Sequence, residues 1–141
     1  ASTFQQGMQT LRQLSFGLLD MSWHGTDPST ITNVKQHEKA AFKQTELFPD
    51  VEQNCMSTGF SHIFQGGYSS GYYSYKWAEV LDADAFEYFK ENNLFDPKIA
   101  NDFKDHILSK GGTEDPLELY IKFRGQKPKV DALLRRSGLI N

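Results

Sequence analysis

The sequence predicts an all-α fold, and three observations carry that prediction. Asp27-Pro28, Asp96-Pro97 and Asp115-Pro116 each place a carboxylate where it can cap a helix and a proline where its missing N–H costs nothing. Apolar residues downstream of each pair recur at the 3.6-residue spacing of one helix face. Gly111, Gly125 and Gly138 then stand where such helices commonly stop.

The first predicted helix runs from Thr3 to Trp23, with Phe4, Met8, Leu11, Leu18 and Leu19 in period and Ser2 or Thr3 as candidate caps. Leu14, Phe16 and Met21 fall on its other faces, so it reads as apolar nearly all round, the mark of a helix buried on several sides. A second helix is predicted over 29–45, with Ile31, Val34, Ala41 and Phe42 inward. Residues 47–67 read as one longer, irregular, Gly-rich stretch, and such stretches in compact folds tend to carry function. One long helix follows, from Tyr68 to Phe89. Counted at about 100° per residue, Tyr72 lies about 40° to one side of Tyr68 and Tyr75 about 20° to the other. Tyr73, Trp77, Val80 and Leu81 gather on the opposite side as a face for burial. Helices over 97–110 (Ile99, Phe103 and Ile107 inward), 116–124 (Leu117, Tyr120 and Ile121 inward) and 129–137 (Val130, Leu133 and Leu134) complete the set.

The 141 residues are 38% hydrophobic and 13% aromatic, enough for one globular domain with a core. A net charge of −3, a pI near 5.8 and the lack of any basic block argue against nucleic acid or an anionic membrane as partner. No apolar run approaches the ~18 residues that a membrane span needs. The single cysteine, Cys55, excludes an internal disulfide and fits a reducing compartment, so the expected location is cytoplasmic. The chain starts without a methionine and enters a helical pattern at once, so the expectation is a piece of a longer polypeptide.

The chemistry gathers in 57–89, which holds His62, the Gly66-Gly67 pair, five tyrosines and Trp77. Tyr68, Tyr72 and Tyr75 form a row of neutral hydrogen-bond donors at pH 7, because a phenol titrates near ~10. Positioned donors of that kind suit a developing oxyanion. The competing reading is structural: tyrosines at helical spacing can be amphipathic core residues with hydroxyls at the rim. Gly66 and Gly67 permit backbone shapes and close approaches that side chains forbid, in a substrate contact, a hinge or an ordinary turn.

A zincin-type metal site needs two histidines at i and i+4 on one helix with a glutamate between them. The chain has His24, His37, His62 and His106, and no two are four apart. His37-Glu38 opens the pattern, but Ala41 stands where the second ligand belongs, and the pair reads as a solvated helix face.

FSHIFQGGYSSGYYSYKWAEVLDADAF resembles, nearly residue for residue, the segment downstream of the zinc site in peptidase family M3, the group of thimet oligopeptidase, oligopeptidase A and peptidyl-dipeptidase. FQQGMQTLRQLSFGLLDMSWH and LSKGGTEDPLELYIKFRGQKPKVDALLRRSGL look like the same family's C-terminal part, so the resemblance covers nearly the whole chain. The wording SHIFQGGYSSGYY looks like the bacterial oligopeptidase A and peptidyl-dipeptidase branch of that family.

The resemblance implies that 1–141 is the C-terminal, helical part of a zincin-like catalytic domain, with the His-Glu-x-x-His zinc motif upstream in the same polypeptide. It implies zinc as cofactor of the longer protein, none held by this chain, and short peptides as substrates. By position it assigns His62, Tyr68 and Tyr75 to catalysis, Tyr75 first and Tyr68 second as oxyanion donor, and Tyr72, Gly66 and Gly67 to substrate binding. Two functional readings follow. In one, the chain is the substrate-binding, oxyanion-stabilising segment of a zinc oligopeptidase or peptidyl-dipeptidase, inert by itself. In the other, it is a stand-alone helical module that binds peptides through the same tyrosines without cutting them.

Overall fold

A computed structural model of the protein describes residues 3–141. All regular structure among those residues is helical, in two compact units, one ending at Trp77 and the other spanning Ala78–Asn141.

In the first unit, helix α1 spans Gln6–Gly25. No side chain caps it, and Gln5 turns the chain in with φ 57°; the predicted cap Ser2 lies outside the described residues. The stripe that α1 buries is Phe16, Gly17, Leu19 and Asp20. Phe4, Met8, Leu14, Leu18 and Met21 stay exposed, so the all-round burial predicted for this helix is not found. At Gly17 the Tyr73 backbone lies against α1, 3.7 Å from where a Cβ would stand, an ordinary contact distance.

The second predicted helix is shorter than 29–45. Asp27 caps only a 3₁₀ turn, Pro28–Thr30, accepting from the Ser29 N–H at 2.9 Å. Ile31 is already extended, and helix α2, Val34–Phe42, starts after Asn33, whose side chain accepts from the Gln36 N–H at 2.9 Å. A local Asn cap has overruled the Asp-Pro signal. Helices α1 and α2 pack on each other. The irregular stretch holds two short turns, helix α3 at Met56–Gly59 and a 3₁₀ turn at Ser61–Ile63. Lys35 tethers its first part through the Asp50 carboxylate (3.0 Å) and the carbonyls of Val51 and Asn54.

Helix α4 spans Ser74–Glu91, six residues later than its predicted start at Tyr68. Val80, Ala83 and Asp84 are its buried residues, whereas Tyr73 and Trp77, predicted to be inward, are 57% and 46% exposed. In the second unit Asp96 caps helix α5, Pro97–Phe103, which runs on through a π turn at Lys104–Leu108. The extent matches the predicted 97–110, but the ladder slips by one residue, with the Ser109 N–H bonding the Lys104 carbonyl at 2.8 Å. Helix α6 spans Pro116–Arg124 with Asp115 as cap and Gly125 (φ 79°) as stop, both as predicted. Leu119, Tyr120 and Phe123 are its buried residues, and Leu117 is exposed. Helix α7, Asp131–Arg136, is shorter than the predicted 129–137, and Val130 stays exposed. Val80, Ala83, Ala132 and Leu133 form one buried cluster of this unit, and the half-buried rings of Phe89 and Phe103 meet the buried Phe123, with ring centres 5.1–6.1 Å apart.

The polar knot of the second unit is Asp84, 3% exposed, which accepts the Tyr120 hydroxyl at 2.7 Å. Burial first, then that bond and the Asp84 charge, holds the Tyr120 phenol well above its ordinary pKa. Arg124 lies over the Tyr88 ring and pairs with Glu91 at 2.9 Å. Tyr120→Phe is expected to lower unfolding free energy by about 1.5–3 kcal/mol, the worth of a hydrogen bond to a charged acceptor. Denaturant titration measures it.

Candidate peptide-binding site

A carboxylate inside an apolar helix must find donors, because burying it unpaired is too costly. Asp20 on α1 is 0% exposed and finds them in the chain after the glycine pair. Its two oxygens accept from the N–H groups of Ser70 and Tyr72, each at 2.9 Å, and the His24 Nδ1 lies 2.8 Å away. Glu38 on α2 does the same for the middle of the irregular stretch. It accepts from the Met56 N–H (3.0 Å), the Ser57 N–H (2.6 Å) and the Ser57 hydroxyl (2.7 Å). At 4% exposed it is no solvated helix face, which corrects the sequence reading of His37-Glu38. His37 is engaged too, with the Ser22 hydroxyl at 2.9 Å and the Trp23 ring at 4.4 Å.

Burial raises the Glu38 pKa, but the Ser57 and Met56 hydrogen bonds and the Lys35 charge outweigh it and leave it below the usual carboxylate value. A carboxyl whose folded pKa is depressed stabilises the fold above its unfolded pKa and loses that contribution as pH falls. Thermal melts are therefore expected to be flat with respect to this group above pH ~4.5 and to fall progressively below it.

Between the two carboxylates the chain is fixed at Ile63, fully buried, whose carbonyl accepts the Ser69 hydroxyl at 2.7 Å. That bond closes a small loop over 63–69. Gly66 (φ 80°) and Gly67 (φ 83°) turn it, and a Cβ at either would meet nothing within 4 Å. The demand for glycine is one of backbone conformation, not of space.

This arrangement explains why no helix starts at Tyr68. Ser70 is left-handed (φ 56°), which a helix does not admit, and Asp20 takes the Tyr72 N–H that a helix would give to the Tyr68 carbonyl, along with the N–H of Ser70. A run of turns results, from the Gly71 N–H to the Tyr68 carbonyl (2.8 Å) and from the Ser74 N–H to the Gly71 carbonyl (3.1 Å). Of the three phenols in the predicted stripe, only Tyr75 stands on α4.

The rings nevertheless converge. Tyr68 stacks on Tyr75 at 5.3 Å, Tyr72 meets Tyr75 at 5.1 Å, and His62 lies 5.9 Å from Tyr68. Phe60 joins them, 5.0 Å from Tyr72 and 6.1 Å from His62, and rests on Phe16 at 4.8 Å. The cluster is buried at Phe16, half-buried at Tyr68 and Tyr72, and open at Tyr75 and His62. Hydrogen bonding with Tyr68, then burial and the neighbouring phenols, raises the Tyr75 pKa above the ordinary phenol value. Burial raises that of Tyr72 against the Arg12 charge. Both phenols are held as protonated donors at neutral pH. An exposed imidazole and phenol beside half-buried phenols offer donors and ring faces to a polar, extended ligand.

The family model described as Peptidase family M3 matches residues 1–139. The chain belongs to peptidase family M3. Oligopeptidase A of Haemophilus influenzae is 45% identical over all of this chain, and dipeptidyl carboxypeptidase of Salmonella typhimurium is 36% identical over 99% of it. A protein of Arabidopsis thaliana named probable cytosolic oligopeptidase A is 39% identical over 99%. In each case the chain spans about a fifth of the relative's length, 21%.

Among the described residues of this M3 chain no group of three or more His, Cys, Asp or Glu could hold a metal ion. His24 and His37 are each committed to a neighbour, and His62 stands among rings, so these side chains do not fit a zinc site. No described helix is long and apolar enough to cross a membrane. The structure brings His62, Tyr68, Tyr72 and Tyr75 together and hangs Gly66 and Gly67 between the first two. Sequence reasoning missed Asp20, Glu38 and Phe60. Asp20 had a readable signal, an acid in the middle of an apolar stripe.

Proposed function

We propose that these 141 residues bind short peptides through the His62, Tyr68, Tyr72 and Tyr75 cluster and carry out no hydrolysis by themselves. The observation that carries this reading is the cluster: four donor-bearing rings, open to solvent at Tyr75 and His62, on a backbone held by buried carboxylates. The lack of any metal-capable group among the described residues supports binding without catalysis as the better reading of the chain taken alone.

Within the longer M3 polypeptide the same surface acquires a second role in this proposal. Zinc belongs to that polypeptide and is held upstream of this segment, and His62, Tyr68 and Tyr75 act on the peptide. Tyr75 donates its hydroxyl proton in a hydrogen bond to the scissile carbonyl oxygen as charge develops there, with Tyr68 as its hydrogen-bonded neighbour. His62 and Tyr72 orient the peptide, and the exposed Gly66-Gly67 backbone lets it approach closely. A cytoplasmic location belongs to the same proposal.

The test is incubation of the 141-residue chain with oligopeptides, with and without added zinc, followed by calorimetry and mass spectrometry. Saturable binding without cleavage products is the expected result. Cleavage by the chain alone, or no binding by a chain with a helical circular-dichroism spectrum, would overturn it.

A further inference from the structure

We infer that Asp20 is a positioning residue of the peptide-binding cluster: its carboxylate, buried in α1, sets where the phenols of Tyr68, Tyr72 and Tyr75 stand. The inference rests on the cluster's role proposed above and adds the residue that builds it. Nothing in the ring contacts alone would fix the Tyr68–Tyr75 turn, because Ser70 occupies the left-handed region, which a non-glycine residue enters only when its surroundings hold it there. Asp20 supplies that hold. Each of its oxygens takes one backbone N–H, Ser70 on one and Tyr72 on the other, so the carboxylate defines both the position and the direction of the turn. The bond to Tyr72 acts on the residue whose ring touches Phe16, Phe60, Tyr68 and Tyr75.

The Asp20 carboxylate is itself braced. His24, one helical turn on, approaches it at 2.8 Å and also bonds the Asp20 carbonyl at 2.9 Å through the same ring nitrogen. The Tyr73 backbone lies against Gly17, one turn back, so the 70–73 segment lies on α1 at two successive turns. A carboxamide of the same size cannot serve both donors. Asparagine keeps one accepting oxygen and puts an NH₂ against the second N–H, so one of the two backbone bonds is lost and replaced by a donor–donor conflict.

The experiment compares Asp20→Asn with the parent in the full-length polypeptide, by amide hydrogen exchange and by peptide hydrolysis kinetics, each also in a Tyr75→Phe background. Exchange in 64–75 is expected to speed at least tenfold while 97–124 is unchanged. kcat is expected to fall at least tenfold, with much less further loss when Asp20→Asn is added to Tyr75→Phe. Unchanged exchange in 64–75 would overturn the hold on the turn. Faster local exchange with undiminished kcat, or losses that simply multiply in the double variant, would overturn the positioning role. Full activity in Tyr75→Phe would instead sink the donor role proposed for Tyr75, and the exchange comparison would still decide whether Asp20 holds the turn.

Discussion

Tyr75→Phe in the full-length polypeptide is expected to lower kcat by about 10²–10³-fold, or about 3–4 kcal/mol of transition-state stabilisation, with KM little changed. The phenol's donor strengthens as the carbonyl oxygen gains charge, so its loss falls on the chemical step and not on ground-state binding. The substitution removes one oxygen from an exposed ring and leaves the stacking on Tyr68, so the fold is not the variable. A pH profile adds a signed check. Because Tyr75 is raised above the ordinary phenol value, first by its hydrogen bond with Tyr68, any alkaline loss of activity due to its ionisation lies above pH ~10. Tyr68→Phe removes that bond and is expected to move the alkaline limb down. Stopped assays with one chromogenic peptide give both results.

Glu38→Ala is expected to cost about 3 kcal/mol of unfolding free energy, more than any surface substitution in the chain, because it orphans three donors at once. The Met56 N–H, the Ser57 N–H and the Ser57 hydroxyl all lose their acceptor, and the 55–57 turn loses its tie to α2. Glu38→Gln keeps one carbonyl oxygen in place and is expected to lose roughly half as much. Chemical denaturation at pH 7 separates the two. If alanine and glutamine variants matched the parent, the carboxylate would not be what fixes the 55–57 turn.

The parts of the fold legible in the sequence were those with local causes. Asp115-Pro116 and Gly125 bound α6 correctly, because cap, proline and left-handed stop are all written within a ten-residue window. Asp27-Pro28 failed for an equally local reason: Asn33 offered a second cap a few residues on, and the chain broke between them. The misplaced start of α4 has a cause of another kind. Asp20 lies 50 and 52 residues away in sequence from the two N–H groups it captures, and no periodicity in 68–75 records it. The candidate rings thus meet, but for a reason the sequence could not display. Three phenols expected to share a helix stripe meet through two turns and one helix start instead. Glu38 was misread by the same blindness, since its partners stand 18 and 19 residues downstream in a stretch with no regular structure of its own.

Hydroxyl-radical footprinting of the full-length polypeptide, with and without a slowly cleaved peptide, tests most directly that this ring cluster is where peptide binds. Protection of His62, Tyr68 and Tyr75, with the exposed Phe86 and Phe95 of the second unit unchanged, is the result this account predicts. Protection instead at Met8, Phe42 and Phe48, which line a groove of about 370 Å³ bordered by α1 and α2, with the three rings as reactive as before, would contradict it.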